Sequence, residues 1–321
     1  ISYENIITNT NSIIQDLNIM EDDIAITTLP VSYVYGLSII NSHLKVGAKI
    51  TLNKNSIFEQ KFWKRLVLSK SNNFGGVPFT YEMLLKIGLK KKYFQFIRYS
   101  TIAGGHLQSK IKTKILDFYE KNNISLITMY GAAEATARMA YLPPQFSRKK
   151  NGSIGIPINK GKLVIEDDKK NILNKPYKEG EIIYKGKNVF MGYANNYKDL
   201  IKKNLNNYIL RTGDTGYFDK DGFFYVVGKK SRYVKITGNR ISLDEIEKII
   251  YDYGYKNICI QKTKDKINKY VNKKNIENKI KTYISKYTNL HLSIFNVSYI
   301  KTFPMTKNNK IDYNNEIFLN E

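Results

Sequence analysis

The chain has 321 residues, 42% hydrophobic and 13% aromatic, and its 52 Lys and Arg against 28 Asp and Glu give a formal charge of +24. That apolar and ring content excludes a disordered polyelectrolyte, and the length excludes a minimal disulfide scaffold and suits two or three domains. The charge has two readings, a polyanionic partner or a lysine- and asparagine-rich bias spread over the surface. Scattered lysines with no nucleic-acid module beside them favour the second, with weak, salt-sensitive polyanion binding and no specific nucleic acid.

Taken in chain order, residues 1–20 carry apolar positions at helical spacing (Ile6, Ile7, Ile13, Ile14, Leu17) and predict a helix that ends at the charged turn EDD. IAITTLP then reads as a buried strand, the apolar stretch from Gly36 to Leu44 as a helical segment, and AKITLN as the next strand. The alternation continues with helix FEQKFWKRLVL, a strand into GGVP, helix YEMLLKIG, strand FIRYSTIAGG, helix QSKIKTKILDFYEKN and strand ISLITMY. This is an α/β pattern.

MYGAAEATARM follows as a predicted strand-to-helix junction of small residues around one carboxylate, Glu134. From Ser153 short alternating runs (KLVIED, GEIIYKG, GFFYVVGK) separated by glycine turns predict a β-rich subdomain. After KKSRYVKITGNR comes a helix, LDEIEKIIYDYG, whose acidic first turn suits the helix dipole, and then strand NICIQK, helix ENKIKTYISKY and strand VSYIKTF.

A single cysteine, Cys259, excludes an intrachain disulfide, reads as a small buried hydrophobe and suits a reducing, cytoplasmic compartment. His43, His106 and His291 lack metal-ligand spacing. No apolar run reaches the ~18 residues of a membrane span, and ISYENIITNT has neither the basic start nor the apolar core of a signal peptide.

Taken singly, the pairs Gly75–Gly76 and Gly104–Gly105 read as turn residues, Asp214 in RTGD as either a turn aspartate or a sugar-hydroxyl acceptor, and Lys310 as one lysine among many. The setting of Lys310, in FPMTKNNKIDY, puts its ammonium at the tip of a polar loop after a strand and a proline, where a point charge can be delivered to a phosphate.

The order of the segments LPVSYVYG, GGVPFTYEMLL, IAGGHL, MYGAAEAT, GSIGIPI, GEIIYKGKNVFMGYANN, RTGDTGYFDKDGFFYVVGKK, VKITGNRISLDEIE and FPMTKNNKIDY resembles the adenylate-forming superfamily. That superfamily includes acyl-CoA synthetases, luciferase-like enzymes and the adenylation domains of peptide synthetases. The resemblance implies ATP-dependent conversion of a small carboxylic acid to an acyl-AMP, then a thioester on coenzyme A or a phosphopantetheine thiol, with Mg2+ as the metal. It implies an α/β fold with a layered α/β large domain, incomplete here (1–152), a β-rich subdomain (153–230) and a small α+β C-terminal lid domain (231–321).

Carried over residue by residue, the resemblance gives Tyr130 the adenine face, Gly131 and its small neighbours room for the nucleotide, and Glu134 the magnesium. Ala133 stands where the family has a threonine hydroxyl directed at AMP. Asp214 matches the ribose-binding aspartate. Lys229 replaces an arginine, keeping charge and losing bidentate geometry. Ser231 falls at the hinge, Lys235 and Arg240 near the AMP phosphate, and Gly238 in the loop of the thiol tunnel. Tyr33 with Gly104, Gly105 and His106 matches walls of the acyl and adenine pockets, and Lys310 matches the catalytic lysine.

The family's Ser/Thr/Gly-rich phosphate loop has no counterpart in these residues, so the expectation is a fragment or one half of a split gene, impaired alone and partnered by a separate N-terminal half. A free-standing adenylation domain that loads a carrier protein, and a non-catalytic basic relic that binds polyanions, are the alternatives.

Overall fold

A computed structural model describes residues 1–201, 204–236, 239–263, 266–305 and 311–318, with backbone alone at 239, 240 and 262. The chain divides into two compact units, residues 1–212 with 216–226, and residues 213–215 with 227–321.

The first unit opens with helix α1 (Tyr3–Leu17). Ser2 caps it by accepting from the Asn5 amide while the Asn5 side chain returns the bond, and Asn18 ends it in the left-handed conformation. Strands β1 (Ile24–Ile26), β2 (Lys49–Thr51), β3 (Asn73–Gly76), β4 (Tyr99–Ile102) and β5 (Ser125–Tyr130) follow. They pair in parallel in the order β2-β1-β3-β4-β5, and β6 (Ala140–Leu142) and β7 (Ile156–Pro157) extend the sheet antiparallel beyond β5.

Helices α2 (Val34–Lys45), α3 (Gln60–Leu68), α4 (Pro78–Ile87), α5 (Lys91–Phe94) and α6 (Ser109–Lys121) connect the strands. Phe62, Trp63, Leu66, Tyr81, Leu84, Phe94, Ile115 and Tyr119 from α3 to α6 form one buried cluster, and Ile13, Leu17 and Tyr35 from α1 and α2 form another with Tyr99 and Met129. Strands covered on both faces carry no polar-out alternation, and β3 and β4 are buried at every residue. The expected α/β fold is therefore present.

Runs read from sequence as alternating form a second, four-stranded sheet. It consists of β8 (Lys162–Glu166), β9 (Gly180–Lys185), β10 (Ile209–Phe218) and β11 (Phe224–Lys229), in the order β11-β10-β9-β8.

The second unit contains the hairpin β12 (Tyr233–Ile236) with β13 (Asn239–Ser242) and helix α7 (Leu243–Asp252). The sheet β14-β15-β16 (Asn257–Thr263, Lys266–Val271, Phe295–Tyr299) and helix α8 (Glu277–Thr288) complete it. Ser242 caps α7 by accepting from the Glu245 amide at 3.2 Å. Ile246, Ile250, Cys259, Ile267, Ile280 and Phe295 form its core.

Two polar features, one fully buried and one half-buried, lead to predictions. Ser100 joins the hydroxyls of Tyr81 (3.0 Å) and Tyr119 (2.9 Å) across the first core, and all three residues are fully buried. Ser100→Ala removes the partner of the Tyr119 hydroxyl while Tyr81 keeps the Thr101 carbonyl. The expected cost is about 1–3 kcal/mol, read as a lower urea midpoint at unchanged slope.

Asp16, on α1, accepts from the Asn159 amide at 3.1 Å, and burial raises its carboxyl to about 6. A carboxyl raised above its unfolded value favours the folded state fully at low pH and loses that contribution as pH rises from about 4 to about 6. Asp16→Asn keeps the acceptor and abolishes the titration. Its stability relative to the parent chain should rise across that window and stay level above it, measured by denaturant midpoints at pH 4, 5, 6 and 7.

Candidate active site

The chain leaves β5 at Tyr130 and returns as β6, antiparallel, pairing Tyr130 with Ala140. The helix expected after MYGAAEAT is instead a single 3-10 turn, Ala133–Ala135. Three constraints stop a helix there. Thr136 adopts a φ of 64°, Met139 N–H bonds back to the Tyr130 carbonyl at 2.9 Å, and Gly131 lies so close to the returning strand that a Cβ would stand 1.7 Å from the Ala137 carbonyl oxygen.

Buried amides hold this loop. Asn188 donates to the carbonyls of Ala135 (2.9 Å) and Arg138 (3.1 Å), and it accepts from the Tyr184 hydroxyl (2.7 Å). The Thr136 hydroxyl donates to the Asn188 carbonyl at 2.7 Å. From α1, Asn9 donates to the Arg138 carbonyl at 2.8 Å, and Asn5 donates to the carbonyls of Lys187 (2.7 Å) and Val189 (2.8 Å).

Glu134 is thereby fixed, half-buried, at the tip of the loop, where its carbonyl accepts from the Phe190 amide at 2.8 Å. Its carboxylate accepts from the Tyr193 hydroxyl at 2.7 Å, and that bond raises the Tyr193 phenol above its usual range. Tyr130 is half-buried, Gly131 and Ala133 are exposed, and no side-chain hydroxyl stands at position 133. Gly104, with φ of +85°, lies under Tyr33, whose hydroxyl would be 2.7 Å from a Cβ at that position. A Cβ on Gly105 would lie 3.3 Å from Pro78, and His106 is exposed. Burial raises the Tyr33 phenol, against the opposing pull of Arg138.

The other sequence-predicted residues belong to the second unit. Asp214, expected at a strand edge, lies inside β10, half-buried, immediately after Gly213 with φ of +70°. Its neighbour Thr215 donates to the Gly228 carbonyl at 3.1 Å. Lys229 ends β11 with an exposed side chain, and its amide donates to the Asp244 carboxylate at 2.7 Å. Lys235 is exposed on β12 opposite Arg240 of β13, whose side chain is outside the described atoms. Gly238 and Lys310 lie outside the described residues.

Sequence reasoning missed a cluster beside Lys229. Arg232 bonds to the Asp244 carboxylate, to Glu247 at 2.5 Å and to the Cys259 carbonyl at 3.1 Å, and it stacks 4.0 Å over the Tyr313 ring. Glu247 also accepts from the Cys259 amide (2.6 Å) and the Tyr313 hydroxyl (2.7 Å). Burial raises the Glu247 carboxyl and pushes the Cys259 thiol up to about 11, so Cys259 is a small core residue, not a nucleophile. The clamp residues Asn5, Asn9 and Asn188 were missed as well. Of these, Asn188 falls in a motif of the family resemblance, GEIIYKGKNVFMGYANN, which also contains Tyr193.

Comparison with known proteins bears on the site directly. A family model described as AMP-binding enzyme matches residues 1–194, which include α1, the Tyr130–Met139 loop and Tyr193. The 2-succinylbenzoate–CoA ligase of Listeria monocytogenes (serotype 4b, strain F2365) is 28% identical over 260 residues, 81% of this chain and 52% of the relative. The ligase of the same name from Geobacillus sp. (strain WCH70) is 28% identical over 240 residues, 74% of this chain and 47% of the relative. The chain spans about half the length of the curated relatives it matches.

Among solved structures, O-succinylbenzoate coenzyme A synthetase (MenE) from Bacillus subtilis in complex with AMP superposes at a TM-score of 0.81 and 23% identity, covering 97% of this chain and 64% of the other. ATP-bound MatB from Rhodopseudomonas palustris gives 0.81 and 18%, covering 97% and 63%. These likenesses establish the fold, and the family match over more than half of its residues places this chain in the AMP-binding enzyme family.

Proposed function

We propose that the chain belongs to an acid–thiol ligase that activates a small carboxylic acid with ATP and transfers the acyl group to coenzyme A or a phosphopantetheine thiol. The observation that carries this reading is the fixed carboxylate of Glu134 on a loop cleared of side chains beside Tyr130, within the AMP-binding match. In the first step a carboxylate oxygen attacks the α-phosphorus of ATP and the bond to pyrophosphate breaks. In the second a thiol sulfur attacks the acyl carbon and AMP leaves.

The roles follow the chemistry of each residue. Tyr130 stacks on adenine, with Gly105 and His106 as walls. Gly131 and Ala133 let backbone approach the nucleotide. Asp214 accepts from the ribose hydroxyls, and Lys229, Lys235 and Arg240 face the AMP phosphate. Tyr33 and Gly104 bound the acyl pocket, and Gly238 lines the thiol path. Lys310 places a cation where two anions must meet, which lowers the barrier to their union.

Among the described residues no group of three or more His, Cys, Asp or Glu could cage a metal. A single carboxylate at Glu134 fits magnesium, which takes one or two protein carboxylates and completes its shell with phosphate oxygens and water. When bound, the ion would neutralise phosphate charge. The division into 1–152, 153–230 and a lid at 231–321, a separate N-terminal half, a carrier-protein acceptor and a cytoplasmic location belong to the same proposal. No helix among the described residues is long and apolar enough to cross a membrane.

Two measurements test the reading. Exchange of labelled pyrophosphate into ATP, supported by the acid substrate, should fall by about 100-fold or more in Lys310→Ala and in Glu134→Gln, the loss typical of a removed transition-state electrostatic group. Unchanged exchange in both would remove their assigned roles. Asp214→Ala should weaken AMP binding by about 10- to 100-fold in calorimetry, the effect of losing hydrogen bonds to a charged acceptor, at an unchanged melting temperature.

A further inference from the structure

Glu134 differs from other carboxylates of the first unit in what it meets. The chain carries 52 lysines and arginines, and acids elsewhere collect them. Glu4 takes Lys187 at 3.0 Å, Glu166 takes Arg211 at 2.6 Å, and Asp117 and Glu120 share Arg148 at 2.8 Å. Among the described residues no cation pairs with Glu134. Its side-chain partner there is the neutral hydroxyl of Tyr193, which donates to Oε1 at 2.7 Å and leaves Oε2 without a hydrogen bond.

Tyr193 reaches Glu134 from a segment that is tied down on its own account. The Phe190 amide donates to the Glu134 carbonyl at 2.8 Å, the Phe190 carbonyl accepts from the Asn206 side chain at 3.0 Å, and the Leu205 amide donates to the Met191 carbonyl at 3.0 Å. The Tyr193 ring packs edge-on against Phe190, ring centroids 4.9 Å apart. Residues 190–193 therefore grip Glu134 twice, by backbone and by side chain. Tyr193 is 74% exposed, so water competes for its hydroxyl and the bond adds little to stability. Its consequence is geometric.

We propose that Tyr193 is a positioning residue for the metal: its phenol fixes Oε1 of Glu134 and leaves Oε2, with the full carboxylate charge, to a phosphate-bound magnesium ion. This rests on the acid-activation reading above, in which Glu134 takes that ion. Carboxylates that ligate metals are themselves held by hydrogen bonds, and losing such a partner typically costs about 10- to 100-fold in metal affinity. A lysine at this position would aim the carboxylate as well, and would cancel the charge that attracts the ion. A phenol donates and stays uncharged.

The test is calorimetry on the 321-residue chain, with ATP titrated in the presence and absence of Mg2+ and AMP titrated without metal. Mg2+ should tighten ATP binding to the parent chain by about 10-fold or more. Tyr193→Phe keeps the ring and removes the hydroxyl; the gain from Mg2+ should fall to near unity, while AMP affinity and melting temperature stay unchanged. Tyr193→Lys keeps a donor and adds a charge, and should gain no more from Mg2+ than Tyr193→Phe does. In a Glu134→Gln chain, Tyr193→Phe should cost nothing further, because no carboxylate remains to be aimed.

A parent-like gain from Mg2+ in Tyr193→Phe or Tyr193→Lys, an equal loss of AMP affinity in Tyr193→Phe, or a parent chain that gains nothing from Mg2+ would each overturn the proposal. Pyrophosphate exchange by the parent chain with a parent-like gain in Tyr193→Phe removes this inference alone. A gain that depends on Tyr193 in a chain without exchange removes only the activation reading.

Discussion

The candidate site depends on buried asparagine amides: Asn9 and Asn188 tie the loop after β5 to segments distant in sequence, and Asn5 holds the 187–189 segment that carries Asn188. Asn5, Asn9 and Asn188 are each no more than 2% exposed, and their side-chain NH2 groups satisfy carbonyls at Ala135, Arg138, Lys187 and Val189. A buried carbonyl left without a donor costs about 1–3 kcal/mol, so the loop has one arrangement in which its backbone is answered. That arrangement presents the Glu134 carboxylate and brings Gly131 against Ala137. A helix at this point would satisfy its own backbone and leave the asparagines idle.

The same clamp explains the run of small side chains. The strand returning at Ala140 must pass within contact of Gly131, and Ala135, Met139 and Ala140 sit fully buried where β5 and β6 meet the core of the second sheet. Larger residues at 131 or 135 would push the return strand away. The glycine and alanines of MYGAAEAT are therefore needed by the fold of the hairpin itself.

Strands β1 and β5 were legible because IAI and SLITMY are short, mainly apolar runs next to a helical period, whereas β2 to β4 (KIT, NFGG, YSTI) were placed by their alternation with helical segments. β15 was hidden. Its sequence, KINKYV, puts Lys269 at a fully buried position, so polarity masks the alternation. β16 begins at Phe295, ahead of the predicted VSYIKTF, because its parallel pairing with β15 starts at Ile267. Glu134 and Asp214 were singled out from motif order as candidate site residues, whereas the contacts of Asn5, Asn9 and Arg138 had no signal in the sequence. Asn9 and Arg138 meet across 129 residues, and nothing local to either marks the pairing.

The charge imbalance sharpens the place of the acids. With 28 carboxylate residues against 52 bases, most lysines must remain solvated, and the buried acids concentrate where the chain changes direction. Asp23 takes the Met20 amide, Asn72 and Arg98 at the entry to β1. Asp219 takes the amides of Asp221 and Phe223 in the turn from β10 to β11, with Lys150 as its cation. Asp244 and Glu247 receive Arg232 immediately after β11. In each case further lone pairs of the carboxylates go to backbone, amide or tyrosine hydroxyl donors, the condition under which a buried ion pair is tolerated at all. Arg138 lies in the interior of the first unit and meets the Tyr35 ring, the Ser38 hydroxyl and the Met129 sulfur in place of an acid.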